Sequence, residues 1–372
     1  MVIGTSLNDG PRAIGVVGGG QLAWMLGAAA QATSLVQAPL EDLAGTRELA
    51  RRCSAITFEN EWLDLEALAA LQQEGVQFVP SLAALTPLIC KRSQHELLDA
   101  LQLPSPHWCP LPADGLLPET LQFPVMAKAS RGGYDGKGTR LLRRPADLAA
   151  LVRQVDPEGW ILESYVAFEL EMAQLVSRDS YGRVACYPLV QTHQHRQVCD
   201  WVLSPAGVPH AVQAFARNLA CSLVTALDYV GVLTIELFYG PAGLQVNEIA
   251  PRTHNSGHLT IEASRTSQFA QQARIVAGLP LGPVDAVAGG ALMVNLLGYE
   301  TSDSDYGAQR AALVALPDAT VHWYGKGDAR PGRKLGHITL LLPEAEPEER
   351  QRLAMERLDQ VRALWPLPPE AA

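Results

Sequence analysis

Residues 231–250, GVLTIELFYGPAGLQVNEIA, are two apolar runs closing on a short glycine-bounded turn at 240–243. The pattern reads as an antiparallel hairpin, and a hairpin ties register to its turn. Tyr239 then lies opposite Leu244, and Glu236 is expected across from Asn247, next to Glu248. A slip of one residue would set the two glutamates face to face. Carboxylates so placed repel unless a cation joins them. A carboxylate pair with an amide oxygen suits magnesium, or manganese, held against substrate phosphates. The alternative leaves one glutamate exposed on an edge and the other in a salt bridge. The flanks TIELF and QVNEIA are apolar, so burial and a metal at Glu236 and Glu248 are expected.

The rest of the chain has a different texture on either side of this hairpin. At 372 residues two or three domains are expected. Toward the N-terminus strand-like and helix-like stretches alternate: AIGVV, then a helix from about Gln21, SAITFE, LDLEALAALQQEG and VQFVPS. This is the rhythm of a parallel α/β sheet, a Rossmann-like unit. Thr86 and Pro87 read as the cap and first turn of a helix to about Ala100, and the proline-rich residues 103–119 as a linker. The central strands VMAKA, WILESYV, ELEMAQLVS and ACYPLVQTH look antiparallel, with a helix over about 212–227. GALMVNLLG, ATVHWYG, GHITLLL and a helix over about 347–364 read as a small closing α+β unit. The expected boundaries are 1–103, 104–285 and 286–372.

Bulk chemistry narrows the function. A net charge of −10 argues against a nucleic-acid surface, which needs a basic face. The six cysteines are scattered without a Cys-x-x-Cys pair, as expected of thiols in a reducing compartment. No signal peptide and no run of membrane-spanning length is apparent, so a cytoplasmic setting without membrane partners is expected.

Three further stretches concentrate chemistry. KASRGGYDGKGT, residues 128–139, breaks from an apolar strand into a cationic glycine loop, as in a lid over phosphates; a surface hairpin is the alternative. PRTHNSGHLT brings Arg252, His254, Asn255, Ser256 and His258 directly after the hairpin, suited to a small anion or a proton transfer. WYGKGDARPGRKLGH places Lys326, Arg330, Arg333 and Lys334 within nine residues of an acidic chain, fitting a phosphate-bearing substrate or a solvated loop. The N-terminal GGGQLA imitates a dinucleotide fingerprint. The acid expected at the end of the next strand is missing, because SLVQAPL ends on Gln37 and Ala38, with Glu41 and Asp42 only beyond Pro39.

In this order, GVVGGGQLAWML, AITFENE, KASRGGYDGKGT, LESYVAFELE, NEIAPRTHNSGHLT and WYGKGDARPGRKLGH resemble the ATP-grasp carboligases over nearly the whole chain. Within them the likeness is closest to the enzymes that carboxylate 5-aminoimidazole ribonucleotide in purine biosynthesis. The resemblance implies an ATP-grasp fold behind the Rossmann-like unit, with ATP and a divalent metal as cofactors. Lys128 and the lid Gly133, Tyr134, Asp135, Gly136, Lys137, Gly138 and Thr139 would close on ATP phosphates. Glu163, Ser164, Tyr165 and Val166 would hold the adenine and Glu171 the ribose. Lys91, or neighbouring Arg92, would fill a further basic position. Asn247 would stand beside the metal ligands Glu236 and Glu248. Arg252, His254 and Lys326 would handle bicarbonate and the carboxyphosphate made from it. Arg330, Arg333 and Lys334 would take the ribonucleotide phosphate, with Tyr134 and Asp135 near its imidazole and Asn255 and Ser256 also on the substrate. A homodimer is implied too.

Three positions depart from the family pattern: Ala23-Trp24 replaces glycine-arginine, Gln194 stands where a histidine is usual, and Ala329 replaces a valine-like residue. The alternatives are a formate-dependent glycinamide ribonucleotide transformylase, a silent ATP-binding regulator, or a dehydrogenase.

Overall fold

A computed structural model describes residues 2–3, 13–30, 42–133 and 136–368. At the N-terminus, strand Ile14–Val17 pairs in parallel with Ala55–Phe58 and antiparallel with Val2–Ile3. Helix Gln21–Ala29 follows the glycine turn as expected. The expected strand at SLVQAPL and Glu41 lie outside the described residues. VQFVPS is reduced to one parallel bridge, Ile56 to Phe78. Pro80 has no N–H to extend the ladder, and Ser81 already caps the next helix by accepting from the Ala84 N–H at 3.2 Å.

The single helix expected from Thr86 to Ala100 gives way to a run of three pieces over 82–100. These are Leu82–Leu85, a 3₁₀ turn Thr86–Leu88, and helix Lys91–Ala100. Thr86 is not the N-cap of the longer helix, because its hydroxyl donates back to the Leu82 carbonyl at 2.9 Å and Cys90 holds that position. The long helix therefore opens at Lys91, which fixes where that lysine points. Residues 103–119 are not only a linker. They contribute strand Trp108–Pro110 to the edge of a four-stranded sheet with Trp160–Ser164, Val125–Ala129 and Thr139–Leu142, an edge where proline is tolerated.

A nine-stranded sheet forms the body. Its order is Gly243–Ala250, Gly231–Gly240, Leu170–Arg178, Val190–His195, Val198–Ser204, Gly290–Leu297, Lys334–Leu342 and Ala319–Trp323, with Val184–Cys186 paired onto Leu170–Arg178. ACYPLVQTH was expected as one strand and is two, interrupted around Pro188. Helix His210–Ala226 buries Ala216, Leu219, Ala220, Leu223 and Val224, a stripe at the helical period that packs beside strand Leu170–Arg178. The closing α+β segment has its own core around Trp365, Tyr306 and Ile338. Its strands nevertheless continue the central sheet, because Gly290–Leu297 pairs with Val198–Ser204.

The hairpin holds the main correction. Tyr239 does face Leu244, but the register shifts between Leu237 and Glu236, so that Leu237 faces Val246 while Glu236 faces Glu248. Asn247 is the extra residue of a bulge, a device that re-aims side chains at sheet ends. The two glutamates are cross-strand partners.

Candidate active site

A cavity of about 1300 Å³ opens between the glycine turn, the four-stranded sheet and the Glu236 end of the large sheet. Lys128 enters it from strand Val125–Ala129. Its ammonium contacts Glu163 Oε2 at 2.6 Å and Asn247 Oδ1 at 3.0 Å. The other Glu163 oxygen meets His95 Nε2 at 2.9 Å, and that ring stacks on Trp108. Burial alone would push the Glu163 carboxyl up, but Lys128 and His95 outweigh it and hold it down at about 2.

Opposite this satisfied group is a strained one. Burial first, then the facing Glu248 and Glu171, raise Glu236 to about 7, against the pull of Lys91 and Lys334. Lys91 reaches Glu248 Oε2 at 2.7 Å, and the Asn247 amide donates to Glu236 Oε2 at 3.3 Å. Burial would lower the Lys91 ammonium, but Glu248, Glu163 and Glu236 raise it above the usual lysine range. His254 Nε2 faces Glu236 Oε1 at 3.4 Å. The Ser256 backbone N–H donates to His254 Nδ1, so Nε2 carries the ring proton. Burial, then Arg252 and Lys334, hold His254 well below the usual histidine range, hence neutral. Two opposed carboxylates are a hard-oxygen donor set that fits a divalent cation, while the Asn247 oxygen is turned to Lys128 and its amide nitrogen to Glu236.

Sequence reasoning assigned no role to two acidic residues here. Arg252 Nε donates to Glu61 Oε2 at 2.5 Å and Nη2 to Oε1 at 3.3 Å, a fork on a carboxylate 191 positions away. Burial would raise Glu61, but the guanidinium holds it below the usual range. Glu59 occupies the glycine turn itself, accepting from the Gly20 N–H at 2.7 Å and the Leu22 N–H at 3.0 Å. A Cβ at Gly18 or Gly20 would strike this side chain. The helix N-terminus that attracts a pyrophosphate in dinucleotide folds is here filled by a protein carboxylate, which explains the glycines without a dinucleotide.

Residues 96–269 match the ATP-grasp domain, and residues 291–351 match the phosphoribosylaminoimidazole carboxylase C-terminal domain. Across 96% of both chains the sequence is 46% identical to the N5-carboxyaminoimidazole ribonucleotide synthase of Synechococcus elongatus. The chain belongs to the N5-carboxyaminoimidazole ribonucleotide synthase family. The Synechocystis synthase is 45% identical over 95% of this chain and 97% of its own. The crystal structure of the Thermus thermophilus synthetase aligns with TM-score 0.83 at 32% identity, covering 96% of this chain and all of that one. The Aspergillus clavatus synthase, solved with ADP and 5-aminoimidazole ribonucleotide, aligns with TM-score 0.82 at 28% identity over 93% and 98%. The chain is thus an ATP-grasp ligase of purine biosynthesis.

Within this synthase fold most expected residues reach one cavity. Gly133, Gly136, Lys137 and Thr139 line it from the loop, and Glu163, Ser164, Tyr165 and Val166 from the strand end. Gly136 and Gly138 sit at φ +76° and +75°, where side chains strain. Glu171, Gln194 and Asn255 line it too. Asn255 is locked by a reciprocal amide pair with Asn295. Lys91 turns inward, whereas Arg92 donates to the Glu158 carbonyl. Ser256 lies one shell back, on His254 Nδ1 at 3.0 Å.

Of the late cations only Lys334 lines the cavity. Lys326 donates to the Lys334 carbonyl, and Arg330 and Arg333 both hold Asp328. Tyr134 and Asp135 lie outside the described residues. His95, Glu59 and Glu61 were the missed residues. The only local signal was that His95 falls one helical turn after Lys91, and that Glu59 and Glu61 belong to the quoted AITFENE.

Proposed function

We propose that this cavity phosphorylates bicarbonate with ATP and transfers the carboxyl group to the exocyclic amine of 5-aminoimidazole ribonucleotide. ADP, phosphate and the carboxyamino product are released. The observation that carries the reading is the opposed Glu236–Glu248 pair at the meeting point of Lys91, Lys128 and Arg252. Glu236 and Glu248, with Asn247 beside them, would hold magnesium or manganese, which when bound neutralises charge on the transferring phosphoryl group and orients it. Lys128 and the 133–139 loop hold the ATP phosphates. Glu163, Ser164, Tyr165 and Val166 take the adenine, and Glu171 the ribose.

Bicarbonate is a poor electrophile, so its activation as carboxyphosphate precedes attack by the amine. Arg252, already oriented by Glu61, compensates charge on that anion, and neutral His254 donates from Nε2. Lys334 meets the ribonucleotide phosphate at the cavity, with Lys326, Arg330 and Arg333 behind it and Tyr134, Asp135, Asn255 and Ser256 on the remaining substrate. Closing the glycine loop excludes the water that would hydrolyse carboxyphosphate.

Units 1–103, 104–285 and 286–372 then supply the glycine turn, the ATP site and the phosphate-binding cations. Among the described residues no helix is long and apolar enough to cross a membrane, and all six cysteines are free thiols. We place the enzyme in the cytoplasm as a homodimer. ADP release should require both bicarbonate and 5-aminoimidazole ribonucleotide. Equal release with formate and glycinamide ribonucleotide would replace the reading with the transformylase, and release independent of any acceptor would point to a regulator.

A further inference from the structure

Behind the cavity wall lies a cluster that the carboxylation reaction leaves unused. His322, on strand Ala319–Trp323, and His337, on strand Lys334–Leu342, are direct cross-strand partners and share one face of the sheet. Their rings stack at 4.6 Å and 19°. Glu262, from the short helix Thr260–Ala263 that follows the HNSGH loop, places Oε1 2.6 Å from His322 Nε2. One ligating atom from each of the three falls within 4.8 Å of the others.

Among the described residues two polar atoms of this cluster are buried with no partner: Glu262 Oε2 and His337 Nε2. Such orphans are uncommon in folded proteins, and a bound ion is one of the groups that would satisfy them. His337 is fully buried. A charged ring without a counter-anion is disfavoured there, so one ring nitrogen keeps a lone pair. Its Nδ1 meets the Tyr324 hydroxyl at 2.7 Å. With Nδ1–H donating to that oxygen, the lone pair sits on the unpartnered Nε2. This is the arrangement in which an outer hydrogen bond fixes the tautomer of a metal-binding histidine.

We propose that Glu262, His322 and His337 form a second cation site, separate from the Glu236–Glu248 pair and selective for zinc or a similar borderline transition-metal ion. Two imidazoles and one carboxylate are the donors such ions take, whereas magnesium prefers oxygen alone. Binding replaces the hydrogen bond between Glu262 and His322 by two bonds to one ion: the proton between them moves to His322 Nδ1, which frees Nε2 as a ligand, and one of the stacked rings swings so that both nitrogens converge on the ion. Water completes the coordination. The ion would pin the helix after the HNSGH loop to the strand that begins at Lys334. It therefore braces the wall of the ribonucleotide site from behind, through His258, whose ring packs 5.1 Å from His337.

The test uses the full chain, stripped with a chelator and then saturated with magnesium to occupy the hairpin carboxylates. Zinc is titrated with metal analysis and melting curves, and cobalt is substituted as a spectroscopic probe of the donor set. Wild type and Glu236→Gln should each bind one zinc, melt at higher temperature with it, and give a histidine-ligated cobalt spectrum. His322→Ala and Glu262→Gln should melt normally without metal and bind zinc at least about 100-fold more weakly, since loss of an outer-shell partner alone costs up to that much. Identical zinc stoichiometry and melting response in wild type and both variants would overturn the site. So would loss of all zinc binding in Glu236→Gln alone, or a wild type that binds none. Should His322→Ala fail to fold, the Glu262→Gln comparison decides by the same readings.

Discussion

The hairpin carboxylates and the arginine loop at 326–334 both crowd charge of one sign, and they treat it in opposite ways. At the hairpin the bulge at Asn247 brings Glu236 onto Glu248, and of the two it is Glu248 that Lys91 pairs with. Glu236 is left to protonate near neutrality. In the loop Asp328 binds both Arg330 and Arg333, and the Lys334 carbonyl takes Lys326. Rigid strands can hold like charges together because neighbouring backbone pairs cannot let them part. A surface loop relaxes until its charges are compensated. On the proposed function the first arrangement would take a cation, while the second would exchange an internal anion for a substrate phosphate.

The largest expected effect is at the rigid end. Glu236→Gln and Glu248→Gln should each lower ATP turnover by about 10²–10³-fold in a folded protein. Without metal, Glu236→Gln should melt at or above wild type because repulsion is gone. Glu248→Gln should not, because it leaves Lys91 without its nearest partner. Near-normal turnover in either folded variant, across a magnesium titration, would remove the metal role.

Next is the loop. Arg333→Ala should raise the apparent KM for the ribonucleotide about 10- to 100-fold, the equivalent of a charge-assisted hydrogen bond of about 1.5–3 kcal/mol, and leave that for ATP unchanged. Arg330, two-thirds exposed, should matter less. Equal changes in both constants would show that the loop does not recognise the ribonucleotide.

The third effect is on stability against pH. A carboxyl raised from 4.5 to about 7 binds more protons folded than unfolded between those values. On this group, metal-free stability falls as pH rises from 4.5 through 7. Glu163, lowered to about 2, works the other way, and its contribution is lost as pH falls from 4.5 through 2. Melting curves of wild type and Glu236→Gln should diverge in the upper window and run parallel below it. Saturating magnesium should erase the divergence. Parallel curves throughout would mean that the hairpin carries no strain.

The smallest effect tests the relaxed region directly. Asp328→Ala frees both arginines from an exposed anion, a pairing worth about 0.2–1 kcal/mol. The KM for the ribonucleotide should fall by no more than about fivefold. A rise would show that Asp328 positions the arginines rather than competing with substrate.

Much of this fold was legible locally. The hairpin turn, the helix expected over about 212–227 and found at His210–Ala226, and the helix expected over about 347–364 and found at Pro347–Leu364 each follow from residues within one or two turns of one another. Periodicity and turn chemistry act over that range, so they can be read without knowing what packs against them. Several residue types lining the cavity were legible too, because two acids on one hairpin and a glycine loop are chemically unusual in any arrangement.

What the amino-acid order alone determined was therefore the elements and the composition of the site. Tertiary structure decided the partnerships. The bulge that sets Glu236 on Glu248 lies in the edge strand Gly243–Ala250, while Gly231–Gly240 pairs with Leu170–Arg178 in unbroken register, and the turn residues alone do not announce it. Glu59 in the glycine turn, Glu61 on Arg252 and His95 on Glu163 join residues 37, 191 and 68 positions apart. No local pattern encodes such pairs. They arise because charged groups buried together must be neutralised by whichever side chains the sheet crossings bring within reach.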